Sequence, residues 1–270
     1  MPKDLLRQPA FFLPHGGGPC FFMDWTWGPA DTWDATKHFL EGLAAMLPEQ
    51  PKAIVVISGH WEEPAFTASS AVTPQLIFDY SGFPEHTYRL TWPAPGDPEL
   101  AVRVRDLLTQ AGLRAGLSAS RGFDHGVFVP LKVAFPEAQI PVVTLSLAVN
   151  LDPSLHLAAG RALAPLRDEG VLIVGSGMSF HNLRGYFQPE TTERARAFNA
   201  WLTAAVESPA AERDVLLAGW RNGPFADYAH PREEHLIPLM VAAGAGGEAP
   251  GLRIFTDEPM GAAISAYRFD

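Results

Sequence analysis

The sequence predicts an α/β fold: one domain over residues 1–270, with a central mixed, mainly parallel sheet flanked by helices. Three observations predict it. Short apolar runs alternate with segments of helical periodicity, the pattern of βαβ units. Three of those runs, Phe11-Phe12-Leu13, Ala53-Ile54-Val55-Val56-Ile57 and Val171-Leu172-Ile173-Val174, each lead into a glycine-containing turn and a histidine. The 25 prolines and 24 glycines are spread along the whole chain, so no stretch reads as a linker between domains.

In chain order, a strand at 10–14 meets the loop His15-Gly16-Gly17-Gly18-Pro19. Trp33, Leu40, Leu43, Ala44 and Leu47 recur at helical spacing over 32–47, with Asp31 placed to cap that helix. The β-branched run at 53–58 has no polar alternation, which suits a strand covered on both faces. Residues 66–92 read as short strands and turns, and the proline-rich loop 93–98 ends in a helix whose buried stripe is Leu100, Val104, Leu107 and Leu108. A strand at 141–147, a helix at 153–168 and a strand at 171–175 follow, then helices at 190–206 and 210–219. Pro231 fits the first turn of a further helix, with Glu233 and Glu234 near its positive end. Pro238, one turn further in, delays or bends that helix. The tail at 252–269 reads as one or two strands.

The composition excludes several classes. A net charge of −10 argues against nucleic acid as a partner, since phosphate backbones demand clustered Lys and Arg. No apolar run approaches the ~18 residues of a membrane span. The N-terminus lacks the apolar stretch of a secretory signal, and a lone cysteine, Cys20, cannot form an internal disulfide, so a cytoplasmic setting is expected.

Nine histidines occur, at 15, 38, 60, 86, 125, 156, 181, 230 and 235. In an open α/β sheet, ligands bind outside the carboxyl ends of the strands, and imidazole is the commonest metal ligand. His15, His60 and His181 follow the three apolar runs, so folding can bring them together. His125 and His181 sit beside polar residues able to orient a ring. His38 and His156 lie in helical stretches without loop chemistry and read as structural or surface residues. His230 and His235 are five residues apart; on one helix their rings would diverge by ~140°. One of the two is expected to bind metal and the other to serve as a cap or substrate contact. Ser176 in Gly175-Ser176-Gly177 is not a nucleophile elbow, because the preceding glycine is one place too close. The glycine loops match neither phosphate-binding fingerprint, and Cys20, between Pro19 and two phenylalanines, reads as a buried apolar residue.

Assembled, these segments resemble a known family. Pro14-His15-Gly16-Gly17-Gly18-Pro19, Ile57-Ser58-Gly59-His60-Trp61-Glu62, Tyr80-Ser81-Gly82-Phe83-Pro84, Arg121-Gly122-Phe123-Asp124-His125-Gly126, His181-Asn182-Leu183 and Glu234-His235 occur in the order seen in the DODA-type (LigB-like) extradiol ring-cleaving dioxygenases, which include the 4,5-DOPA dioxygenases. The resemblance implies an oxidoreductase that inserts both atoms of O2 into a catechol. It implies His15, His60 and His235 as metal ligands, His181 as acid/base, and His125 near substrate or dioxygen. The implied cofactor is one divalent ion, Fe(II) for activity or Zn(II) as bound. His235 stands where related ring-cleaving enzymes use a glutamate, which leaves the site one negative charge short. Glu233 and Glu234 are expected to be aimed elsewhere by a helix.

The chemistry suits the residues. Three protein ligands leave positions for the two oxygens of a catechol, and imidazole titrates near neutral pH, so it can take and return a phenolic proton. Phe21, Phe22, Trp25, Trp61 and Tyr80 are candidates to wall a flat apolar pocket, with core packing as the alternative. The competing readings are a zinc-dependent hydrolase using the same ligands and a non-enzymatic metal-binding protein on the same scaffold.

Overall fold

A computed structural model describes residues 6–270. Eight strands form one sheet: β1 (Ala10–Pro14), β2 (Ala53–Glu63), β3 (Phe66–Ser69), β4 (Ala115–Ser118), β5 (Val142–Ala148), β6 (Val171–Gly177), β7 (Leu252–Asp257) and β8 (Ile264–Phe269). Their order is β4-β3-β5-β2-β6-β1-β8-β7. The centre, β5-β2-β6-β1, is parallel, while β3 joins β5 and β8 joins β1 in antiparallel fashion. The mixed, mainly parallel α/β architecture predicted from the sequence is the one observed. Carboxyl ends of β1, β2 and β6 therefore lie side by side, and the site is built there.

The helices are α1 (Asp34–Glu41), α2 (Pro98–Gln110), α3 (His125–Ala134), α4 (Pro153–Leu163), α5 (Pro165–Asp168), α6 (Thr191–Glu207), α7 (Ala210–Ala218), α8 (Ala226–Ala229) and α9 (Ile237–Gly246). Successive residues of β6 point to opposite faces. Gly175 and Gly177 face α9 and the segment before it, while the Ser176 hydroxyl donates to the Gly126 carbonyl of α3. The sheet is thus covered on both sides, which is why its central strands lack polar alternation.

Several boundaries differ from expectation, each for a local reason. α1 is shorter than 32–47, and Asp31 does not cap it; Asp31 sits in a turn that offers only its carbonyl to Asp34. The stretch 153–168 breaks in two at Pro165, which has no N–H to continue the ladder. β2 runs on to Glu63 through a register shift between Ile57 and Glu62, so His60 lies inside the strand rather than beyond it. Residues 231–236 form turns, and α9 starts only at Ile237, with Pro238 in its first turn. β4 and α3 are additional elements; α3 is buried on nearly every side, so it carries no amphipathic period. Among the described residues no helix is long and apolar enough to cross a membrane.

His156 is structural, and buried rather than on the surface. Its Nδ1 donates to the Asp152 carbonyl at 2.7 Å, and its Nε2 accepts the Ala148 amide at 3.2 Å, pinning α4 to the end of β5. An accepting Nε2 must be unprotonated, and burial holds this ring down to about 4. Below the ordinary imidazole value of about 6.5 the unfolded chain takes up a proton that the folded chain refuses. Stability therefore falls as pH drops from about 6.5 to about 4 and then levels off. By about pH 4.5 this one ring accounts for about 2.5 kcal/mol. A His156→Gln variant, which has nothing to protonate there, should lose about 2.5 kcal/mol less than the parent between about pH 7 and pH 4.5 in urea unfolding. Equal losses in the two proteins would show that His156 titrates normally.

Candidate metal centre

Five histidines meet above the strand ends. His15 directly follows β1, and its amide donates to the Gly177 carbonyl at 3.1 Å, fixing it beside β6. Gly16 and Gly18 follow at φ +82° and +56°, conformations that side chains disfavour. His60 projects from β2. His235 lies in the turn before α9, with its carbonyl accepting the Met178 amide at 3.0 Å. The Nε2 of His60 is 3.3 Å from that of His15 and 3.2 Å from that of His235. Two nitrogens each ~2.0–2.1 Å from one tetrahedral ion would be about 3.3 Å apart. The spacing therefore fits a shared divalent cation.

Protonation fits as well. Burial holds His15 and His235 well below the usual imidazole range. It brings His60 to about 3, with His125 pushing the same way and Asp79 opposing. Neutral rings are the form that binds metal. His235 donates its Nδ1 proton to Glu234 Oε1 at 2.8 Å, so its Nε2 carries the free lone pair that faces His60.

The other two imidazoles stand at the margin of this trio. The His181 ring stacks on His235, with centroids 3.4 Å apart, and its Nδ1 is 3.4 Å from Glu234 Oε1. His125, at the start of α3, is 4.0 Å from His60 between centroids and donates Nδ1–H to Asp79 Oδ1 at 2.9 Å. Asp79 Oδ2 is 3.6 Å from His60 Nδ1, so one carboxylate serves two rings. Burial pushes the Asp79 carboxyl up, but the His125 hydrogen bonds outweigh this and hold it at about 2. Glu234 likewise serves both His235 and His181.

Two expectations are overturned here. Glu234 is not aimed away: with no helix over 231–236, its carboxylate lies against the ring of His235 and restores a negative charge one bond behind the trio. His230 is neither cap nor substrate contact. It is buried between Phe198 and Trp220, with Nε2 on the Ser179 carbonyl. Asp124, adjacent to His125, instead accepts from Ser58 at 2.7 Å and Arg121 at 2.6 Å. Asp79 was not singled out by its sequence, where its only signal is a lone carboxylate between Phe78 and Tyr80. Ser176 and Cys20 are both buried, and burial drives the Cys20 thiol up, so neither is placed as a nucleophile.

The cluster floors a cavity of about 470 Å³. Of the five aromatic wall candidates, Trp25 and Tyr80 line it. Phe21 packs on Trp33, Phe22 lies under the Lys132 ammonium, and Trp61 is buried beneath Arg121.

At its strand ends the parallel-centred sheet thus carries a histidine cluster able to hold a metal ion, opening into an aromatic cavity. Residues 9–267 match the family model for the catalytic LigB subunit of aromatic ring-opening dioxygenase, and the chain belongs to that family. It is similar to the dioxygenase tasH of Hapsidospora irregularis, with 39% identity over 96% of this chain and 84% of that one. It is 38% identical to the 4,5-DOPA dioxygenase extradiol of Beta vulgaris, over 91% of this chain and 89% of the relative. The crystal structure of the uncharacterized protein JW3007 from Escherichia coli K12 superposes with a TM-score of 0.78 at 30% identity, covering 98% of this chain and all of that one. The chain is accordingly an extradiol dioxygenase.

Proposed function

We propose that His15, His60 and His235 hold one divalent ion, Fe(II) in the active enzyme with Zn(II) able to take its place. The enzyme then opens a catecholic ring beside its diol, with both atoms of O2 entering the product. The observation that carries this reading is the placement of His60 Nε2 3.3 Å from that of His15 and 3.2 Å from that of His235, with ligand atoms of all three within 4.8 Å of one another at the floor of an aromatic cavity. A bound divalent ion supplies a Lewis acid for the phenolic oxygens and open positions for two reactants.

The chain's own residues manage the protons and the substrate. His181, with Nδ1 directed to Glu234, accepts a phenolic proton at Nε2 and returns it as the ring opens. His125 has its Nδ1 proton committed to an ionised Asp79, which leaves Nε2 to exchange a proton with the oxygen being transferred. Tyr80 and Trp25 hold the ring flat and keep water out. The same proposal sets the enzyme in a reducing cytoplasm, where the free thiol of Cys20 persists.

Anaerobic loading with Fe(II), followed by a catechol panel in air, tests the proposal. One O2 consumed per catechol with a yellow ring-opened product supports it. Product formed without oxygen uptake would point to the hydrolase reading instead. Asp79→Asn should lower kcat about 10- to 100-fold at saturating metal, because the carboxylate charge behind the His125 Nδ1–H is lost and an NH2 donor replaces the oxygen that faces His60 Nδ1. Unchanged kcat would remove Asp79 from any positioning role.

A further inference from the structure

The cavity above the histidines is larger than a bare catechol needs, and its outer part is mainly apolar, with Ser81 the exposed polar side chain in its lining. Trp27, Phe83, Leu183 and Phe187 surround the mouth. Trp27 packs against Phe83 with centroids 5.2 Å apart. Leu183 and Phe187 come from one loop after β6, and Phe187 sits at φ +67°, a conformation that an aromatic residue adopts at a cost. Trp27, Leu183 and Phe187 are 46%, 71% and 62% exposed, so large apolar surface is left in water at one opening. Scattered single residues of this kind need no explanation, whereas a set that rims one cavity marks a binding surface.

Charge is absent from the same wall. Among the described residues no Asp, Glu, Lys or Arg lines the cavity; the polar side-chain groups are the five imidazoles, Ser81, two tyrosines and the indole N–H groups of Trp25, Trp27 and Trp33, which are donors and acceptors rather than full counter-charges. Asp79 and Glu234 stand behind the rings they orient, and Arg184 lies beside Leu183 outside the lining. An amino-acid tail brings an ammonium and a carboxylate. Moving either into such a wall without a partner is costly.

We propose that the preferred substrate is a catechol with an uncharged, apolar substituent, which leaves the diol at the histidines and lies against Trp27, Phe83, Leu183 and Phe187. A zwitterionic tail is selected against. This rests on the ring-opening reading and narrows it to a substrate class. Each methylene buried on that wall contributes about 0.8 kcal/mol. Three extra methylenes therefore give up to about 50-fold in kcat/KM.

Oxygen uptake by the Fe(II)-loaded enzyme, compared for 4-methylcatechol, 4-butylcatechol and DOPA, tests this. The butyl compound should exceed the methyl one about 10- to 50-fold in kcat/KM, with DOPA below both. Phe187→Ser and Leu183→Ser should each shrink the butyl-to-methyl ratio severalfold. A ratio is insensitive to how much of a variant is active. Binding read without turnover, as tryptophan fluorescence quenching under anaerobic conditions, should follow the same order. If DOPA matches or surpasses 4-butylcatechol in both readouts, the inference fails while the ring-opening reading stands. If no catechol is consumed or bound, the ring-opening reading itself fails.

Discussion

Replacing His60 with alanine is expected to abolish stoichiometric metal binding and, with it, ring opening. His60 is the middle member of the trio, since its Nε2 is the one within 3.3 Å of both other nitrogens. Removing it leaves two ligands and a hole beside Gly126, whose α-carbon faces the His60 ring. Loss of a residue that merely supports a ligand costs about 10- to 100-fold in affinity; loss of the ligand itself should exceed that. The measurement is metal content after dialysis against a weak chelator, by atomic emission, beside circular dichroism to show that the sheet is intact. Alanine at His15 or His235 should behave alike. His181→Ala should keep its metal and lose turnover if, as proposed, His181 transfers the proton rather than holding the metal. A His60→Ala protein that retains a full equivalent of metal would remove His60 from the ligand set.

Gly177→Ala is expected to damage the same site from behind, without touching an imidazole. A methyl group there would stand 2.1 Å from the carbonyl oxygen of His235, and one added at the next glycine inward, Gly175, would stand 2.3 Å from the Pro238 carbonyl oxygen. Neither neighbour is the movable end of a side chain. The His235 carbonyl is also the acceptor that ties this turn to Met178. The added methyl must therefore displace the backbone that carries His235. Overpacking of this kind costs about 3 kcal/mol, and the displaced ring should weaken metal binding at least about 10-fold. Denaturant midpoints and metal titration read the two effects separately. If both are unchanged in Gly177→Ala, the approach of β6 to the His235 turn is looser than described.

This prediction also explains the role of a motif that the sequence leaves ambiguous. Gly175-Ser176-Gly177 invites comparison with a nucleophile turn, but it is the last part of β6. Its glycines admit the α9 side of the molecule, and its serine bonds α3 on the other face. Alternation along a strand, which is legible, assigns the faces; the identity of the segment that arrives there is not.

Local properties are what the chain alone decided. Apolar runs that end in glycine and histidine specify strands whose carboxyl ends carry ligand-type side chains, and alternation with helices specifies a parallel-centred sheet. These follow from spacing and side-chain chemistry within a few residues. Tertiary structure alone decided which groups stand behind the rings. Asp79 reaches His125 across 46 positions, and the helix expected over Glu233 and Glu234 gives way to a turn that places Glu234 against His235 and His181. It also decided that His230, though near His235 in sequence, is buried between aromatic side chains instead. The physical reason is that a hydrogen bond to an imidazole depends on separations of about 3 Å between segments far apart in the chain. Only the packing of those segments on the sheet sets such separations.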